Sequence, residues 1–171
     1  MNDLRKVAQV STDTKSTTAL HDPPVPVRAK LAAAWASFMF LVIYVDYFHL
    51  YKPGVVDDIL AGRVFEFDIS PTFLVIGFTL IAIPTFMIVL SVILPARANR
   101  VINLVVASLE IPVSVLNAVG EFGPYFYFYV LSIGLEVLLL AFILRAAWTW
   151  PRTAPSATSP DREAVRAQQQ A

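Results

Sequence analysis

Hydrophobic residues along this chain fall into four long runs, which short polar stretches separate. The runs cover residues 31–51, 72–94, 101–119 and 125–147. A helix rises about 1.5 Å per residue, so a run of about 20 apolar residues crosses the hydrocarbon core of a bilayer. The pattern therefore predicts an all-α, polytopic membrane protein whose four transmembrane helices form an antiparallel bundle.

Polar and proline-rich segments flank the four runs. Residues 1–27 are rich in Ser, Thr and Asp and end in DPPVPV, and residues 151–171 have a similarly polar composition. Segments of this kind bury too little apolar surface to offset the entropy cost of ordering the chain. We therefore predict a four-helix transmembrane domain at 28–150 between two disordered tails.

The segment between the first and second runs has patterns of its own. In VVDDILAG the apolar residues fall on one side of a helix and the two aspartates on the other, which predicts a short amphipathic helix at the membrane interface. The alternation of FEFDIS suits an extended segment that returns to the bilayer. The segment is either an ordinary ordered loop or a lid over a cavity beneath it.

Basic residues are distributed unevenly between the two sides of the predicted bundle. Of the 13 lysines and arginines, only Lys52 and Arg63 fall on the side of the first loop. Because short segments rich in Lys and Arg stay in the cytoplasm, this bias sets the orientation. It predicts a multi-pass protein of the cell (plasma) membrane with cytoplasmic N- and C-termini.

Composition narrows the class of function. The net charge is zero and there is no basic domain, so we expect no nucleic-acid partner. The absence of cysteine excludes disulfides and thiolate metal sites. His49 is the one histidine in the predicted spans, which excludes a haem held by two histidines. P-loop, HExxH and GxSxG motifs are missing as well, so we predict no cofactor and no metal site.

Acidic residues occur inside three of the predicted helices, at Asp46, Glu110 and Glu136. A carboxylate at membrane depth is costly unless it is paired, protonated or wetted, so it turns away from lipid. At about 100° per residue, each glutamate shares an arc of about 60° with other polar residues. On the third helix these are Asn103, Ser114, Asn117 and Glu121, and on the fourth they are Tyr125, Tyr129 and Ser132.

Helices that turn these polar faces inward would enclose an outward-facing polar cavity. Asp46 and His49 share a face of the first helix and form its outer rim, with Glu110 and Glu136 as the deep acids. The candidate cavity residues are Asp46, His49, Thr79, Glu110, Ser114, Asn117, Tyr129, Ser132 and Glu136. Such a cavity predicts binding or transfer of a small solute or proton, and the pattern leaves the ligand unidentified.

Two other functions stay open. Burial favours the neutral form of a carboxylate, so the deep acids can serve only as interhelical hydrogen-bond glue in an accessory or structural subunit of a membrane complex. An enzyme that modifies lipids through proton transfer is a third class, although the chain has no nucleophile or metal motif for it. The lipid bilayer is the expected partner, and a homodimer or a larger membrane complex is compatible with so few helices.

Several short motifs link the chain to known sequences. They are KPG at the end of the first helix, DDILAG in the loop, ISPTFL and IPTFMIVLS in the second helix, and RANRVINL at the start of the third. In these motifs the chain resembles a small, uncharacterised family of bacterial four-helix membrane proteins, carried as a domain of unknown function. The resemblance covers about residues 32–147 and implies four spans and an ordered first loop. It implies no activity.

Overall fold

The computed structural model describes residues 23–116 and 123–151. Within these ranges the chain is mostly helical and forms, in order, α1 (Val27–His49), α2 (Val55–Leu60), β1 (Arg63–Val64), β2 (Phe67–Asp68), α3 (Pro71–Ile93), α4 (Ala96–Leu116) and α5 (Phe126–Trp148). Four of these helices, α1, α3, α4 and α5, are long and apolar enough to cross a membrane. The predicted fold class is confirmed. Most of the two predicted tails and the last residues of the third predicted span lie outside the described residues.

The long helices begin and end where local chemistry directs them. Ser70 caps α3, because its hydroxyl accepts a hydrogen bond of 3.1 Å from the Phe73 N–H, and Pro71 occupies the first turn. Pro95 separates α3 from α4, which begins at Ala96, five residues before the third apolar run. Polar residues therefore form the first turns of α4, since backbone hydrogen bonding and not hydropathy decides where a helix starts.

Contacts between the helices define an antiparallel arrangement. α1 packs against both α3 and α5, and α5 also packs against α4, whereas α3 and α4 share few contacts beyond their short connection. At one end of the bundle α1 begins, α3 connects to α4, and α5 ends. We call this end the tail end. The opposite end, which carries residues 50–70 and the start of α5, is the loop end.

The apolar core occupies the tail-end half and the midpoint of the bundle. Its largest fully buried side chains include Trp35 and Phe38 of α1, Met87 of α3, and Leu140 and Ile143 of α5. The rings of Trp35 and Phe38 meet edge to face with their centroids 5.8 Å apart. Most other large apolar side chains of the long helices are exposed on the outer surface, as suits helices surrounded by lipid.

A buried polar network crosses this apolar core and joins three helices. Asn103 Oδ1 of α4 accepts hydrogen bonds from Trp35 Nε1 (2.7 Å) and Ser91 Oγ (3.3 Å). Asn103 Nδ2 donates to the backbone and side-chain oxygens of Asn99, at 2.9 and 2.6 Å. All four hydrogen-bonding positions of the Asn103 amide are therefore filled.

Asn99 completes the end of α3. The Ser91 carbonyl would bond the N–H four residues later in a continuing helix, but that residue is Pro95, which has no N–H. Asn99 Nδ2 donates to this carbonyl instead, at 2.5 Å. Arg28 donates in the same way to the Val92 carbonyl at 3.0 Å, so side chains from α4 and α1 satisfy the last turn of α3.

The loop-end connection folds over the bundle as α2 followed by a two-strand hairpin. β1 and β2 pair antiparallel, and Phe65 in the turn between them has a φ of 52°, a left-handed conformation that is rare for an aromatic residue. Arg63 bonds back to Asp58 of α2 at 3.0 Å. The predicted short helix is present, with Val56 and Leu60 exposed on its outer side.

Candidate polar cavity at the loop end

A cavity of about 570 Å³ opens at the loop end between the long helices and the connection above them. All four long helices contribute to its wall, and residues between Leu50 and Phe65 form its rim. Six of the nine candidate residues line it: Asp46, His49, Ser114, Tyr129, Ser132 and Glu136. Polar side chains of α1 and α5 and Ser114 of α4 therefore meet in this space.

His49 and Tyr129 link α1 to α5 at the upper part of the cavity. The His49 Nδ1 atom and the Tyr129 hydroxyl lie 2.5 Å apart and share a hydrogen bond. The ring of Phe65 lies 5.5 Å from the His49 ring, and the Lys52 ammonium lies 5.6 Å from the centre of the Tyr129 ring. The unusual backbone of Phe65 therefore holds an aromatic ring against the rim of the cavity.

On α5, the cavity wall contains the hydroxyl groups of Tyr129 and of Ser132, one turn further from the loop end. Tyr129 and Ser132 are both buried, and the Ser132 hydroxyl donates to the Tyr129 carbonyl at 3.0 Å. That bond uses the hydroxyl proton and leaves the lone pairs of the Ser132 oxygen able to accept a hydrogen bond. The wall at this depth therefore offers acceptors to a bound molecule.

Of the cavity residues on α5, Glu136 is the farthest from the loop end, and it is 5% exposed. The Ser114 hydroxyl of α4 lies within interaction range of its carboxyl group, and Asp46 of α1 is close enough for their charges to interact. Glu110 likewise lies within electrostatic range of Glu136. Within residues 23–116 and 123–151, no ion pair joins any of these three acids to a basic side chain.

Two of the described candidate residues do not line this space. Glu110 is half-buried and lies outside the cavity wall, although its charge reaches Glu136. Thr79 is exposed, and its hydroxyl donates to the Val75 carbonyl of its own helix at 2.7 Å. Asn117 lies outside the described residues. Helical periodicity places Thr79 on the same side as Thr72, but it does not reveal that this side of α3 faces away from the other helices.

Comparison with known sequences adds the family. Residues 27–156 match DUF6326, a family of unknown function. The chain belongs to this family. No curated protein and no solved structure matches it. Four helices of membrane length make this DUF6326 member a multi-pass membrane protein, and the family carries no assigned activity to transfer.

The connection between α1 and α3 contributes cavity residues of this DUF6326 member that sequence patterns did not single out as a site. Lys52, Asp58, Arg63 and Phe65 all line the rim. Lys52 follows His49 by three residues in the HLYKPG segment. This helical spacing could have indicated that Lys52 lies on the same side of the chain as His49. The position of Phe65 depends on its left-handed backbone conformation. Aromatic residues rarely adopt this conformation, so the sequence does not predict it.

The acidic and histidine side chains also bear on metal binding. In the part of the chain that the structure describes, no group of three His, Cys, Asp or Glu side chains is close enough to hold a metal ion. The carboxylates of the cavity are spread over separate helices at different depths.

Proposed function

We propose that the loop-end cavity of this protein binds or transfers a small solute or a proton, with Glu136 as its deep acid. The observation that carries the proposal is the position of Glu136, which is 5% exposed and lies in the cavity wall beside Ser114 and within electrostatic range of Asp46. Ionisable groups at membrane depth commonly mark substrate or proton pathways.

The charges around the cavity favour a cation over an anion. At the rim, Asp58 is paired with Arg63, and Lys52 lies over the rings of Tyr125 and Tyr129. No ion pair joins Glu136 to a basic side chain within the described residues. An acid at membrane depth that has no basic partner can take up a proton or bind a small positively charged solute.

Asp46 offers a connection between the rim and the deep acid. It is three residues from His49 on α1, and its charge interacts with both His49 and Glu136. The polar groups of His49, Tyr129, Asp46, Ser132 and Glu136 therefore descend from the rim to the deep acid along two adjacent helices. A series of such groups can pass a proton or a small hydrogen-bonding cation from the rim to the deep acid.

Reconstituted protein tests the proposal. Liposomes containing the protein and a trapped pH-sensitive dye are given a potassium diffusion potential with valinomycin, and proton entry is followed by fluorescence. In parallel, the thermal stability of detergent-purified protein is measured with ethylammonium and tetramethylammonium salts against sodium at equal ionic strength. We expect a protein-dependent response in at least one assay.

The matched variants are Glu136→Gln and Glu66→Gln. Glu66 lies exposed in the turn of the loop-end hairpin, so its replacement removes the same charge outside the cavity. We expect Glu136→Gln to reduce the response about tenfold or more, as loss of a group central to proton transfer does. Equal responses of wild type and Glu136→Gln, or no response above empty liposomes and sodium controls, would overturn the proposal.

A second candidate function is a structural subunit in which the acids only hold helices together. The proximity of Ser114 on α4 to Glu136 on α5 favours it, because such a contact joins two helices. This function predicts that Glu136→Leu lowers the unfolding temperature while both assays give no signal in any variant. It also predicts stoichiometric co-purification with a larger complex after gentle solubilisation.

We further propose that the tail end faces the cytoplasm of the cell membrane. The supporting observation is that Arg28, Lys30, Arg97, Arg100 and Arg145 lie at this end. The chain has no native cysteine, so single replacements report cleanly. We expect an impermeant maleimide added to intact cells to label Leu60→Cys, which is 81% exposed in the wild type, and not Thr149→Cys. The opposite pattern would reverse the orientation.

A further inference from the structure

A second cavity, of about 510 Å³, lies at the tail end, outside the site described above. It is lined by Ala96, Arg97, Arg100 and Val101 from the start of α4 and by Trp150 and Pro151 after α5. We propose that this cavity binds the phosphate headgroup of an anionic phospholipid. The proposal is independent of any solute or proton at the loop end.

The first argument is the separation of charge along the bundle. Of the acidic residues in the described ranges, none lies at the tail end, where five of the basic residues are found. No ion pair in these ranges involves Arg97 or Arg100. The cavity therefore combines two guanidinium groups with an absence of nearby described carboxylates, which is an environment that attracts anions.

The second argument is the position of the two arginines on α4. Both lie in the first turns of the helix, where the macrodipole is positive and cations are unfavourable. The first turn of α4 contains no acidic residue that would offset this repulsion. A bound phosphate group would offset both the guanidinium charges and the helix dipole, because helix N-termini favour anions.

The third argument is that Arg100 is held in place for binding. Its guanidinium lies 5.6 Å from the centre of the Trp148 ring, and its Nε atom is buried without a hydrogen-bond partner among the described residues. The contact with Trp148 restricts the long side chain and reduces the entropy lost on binding. Arg97 is exposed three residues earlier, so the two side chains leave α4 on the same side.

The fourth argument selects a lipid over free phosphate. Val101 lines the cavity, and Val105 and Leu109 follow it at helical spacing along α4, with 61%, 51% and 63% of their surfaces exposed. This apolar stripe leads from the cavity towards the middle of the bilayer, where it can contact an acyl chain. Trp148, which is 67% exposed beside Arg100, suits the headgroup level at which tryptophan is enriched.

Purified, delipidated full-length protein tests the proposal. Native mass spectrometry and thermal unfolding are measured with phosphatidylglycerol, with phosphatidylcholine of the same acyl chains, and with inorganic phosphate. The variants are Arg97→Gln, the double variant Arg97→Gln/Arg100→Gln, and Lys30→Gln. Lys30 is the matched control, because it is an exposed cation of the tail end outside the cavity.

We expect phosphatidylglycerol to bind and stabilise the wild type more than phosphatidylcholine or inorganic phosphate. Each arginine near the membrane surface contributes about fivefold to the affinity for an anionic lipid, so Arg97→Gln should weaken binding about fivefold and the double variant more. The Lys30→Gln change should weaken binding less than Arg97→Gln, because Lys30 lies outside the cavity and keeps only a long-range interaction with the lipid. Because Arg97 is exposed, its single variant keeps the test valid even where the loss of Arg100 impairs folding.

Three results would overturn the proposal. Equal binding of phosphatidylcholine would show that acyl chains alone are recognised, and equal stabilisation by inorganic phosphate would identify a free-anion site. Equal losses in Lys30→Gln and Arg97→Gln would show that the lipid responds to the general positive charge of the tail end and not to the cavity.

Discussion

The two halves of the bundle contain the same helices, but their buried polar groups differ in hydrogen bonding. In the tail-end half, Asn103 has four hydrogen-bond contacts with Trp35, Ser91 and Asn99, all within an apolar core. In the loop-end half, Glu136 faces a cavity, and no basic side chain of the described chain is paired with it. Burial alone therefore does not distinguish a structural polar residue from one available to a ligand.

The state of the hydrogen-bonding positions makes that distinction. A buried polar group whose donors and acceptors are all used holds a unique packing and has nothing left to offer. A carboxylate beside an open space keeps lone pairs and charge for another molecule. We therefore expect changes in the Asn103 network to lower stability and changes in the cavity to act mainly on binding.

The largest effect on stability is expected for Asn103→Leu. Leucine has a similar size but leaves Trp35 Nε1 and the Ser91 hydroxyl without their acceptor in an apolar core. Hydrogen bonds between membrane helices contribute about 0.6–1.7 kcal/mol each, so loss of this set should destabilise the protein by about 2–4 kcal/mol. Unfolding in mixed detergent micelles measures it. The control is Ser108→Ala, an exposed position on the same helix that should change little.

A smaller effect is expected for Tyr129→Phe at the rim of the cavity. The change removes the hydroxyl that bonds to His49 but keeps the aromatic ring beneath Lys52. The loss of one hydrogen bond should lower the unfolding free energy by about 1 kcal/mol. Tyr127→Phe on the same helix is the control, because Tyr127 is 82% exposed. Equal effects of the two changes would contradict a role for the His49 contact.

The smallest effect is expected for Thr79→Val. Its hydroxyl bonds only within α3 and its side chain is exposed, so the replacement suits a lipid-facing position. We expect a change in unfolding free energy of less than about 0.5 kcal/mol and unaltered responses in the liposome and cation assays. A loss of the proton or cation response would show that Thr79 belongs to the site. It would then require a rotation of α3 that brings Thr79 to the cavity.

The fold followed from the sequence because the length of an apolar run is set by the thickness of the bilayer. Helical periodicity gives the direction of each side chain about the axis, and it relates part of the polar face of α5 and Ser114 of α4 to one space. Ser114, Ser132 and Glu136, taken from two different helices, line one cavity. The proximity of Asp46 to Glu136 depends on the packing of α1 beside α5. The polar face of α1 already indicated that Asp46 points towards the other helices.

Hydrogen-bond partners on neighbouring helices could not be predicted from the sequence in the same way. Asn103 shares an arc with Ser114, yet it bonds to Trp35 in the tail-end half, because periodicity gives direction and not the identity of the neighbouring residue. Asn99 was not recognised, although Pro95 leaves a carbonyl of α3 without a donor and an amide four residues later can supply one. Thr79 was placed at the cavity since nothing in its own helix shows which face meets α1.

The separation of acidic and basic residues gives the described part of the bundle an electric dipole along its long axis. Five of the seven described basic residues lie at the tail end, and the described acidic residues lie from mid-depth to the loop end. A transmembrane voltage acts on charge displaced across the bilayer with about 2.3 kcal/mol per elementary charge per 100 mV. With the tail end in the cytoplasm, as we propose, an inside-negative voltage would reinforce this orientation and would draw a cation towards Glu136 from the loop end.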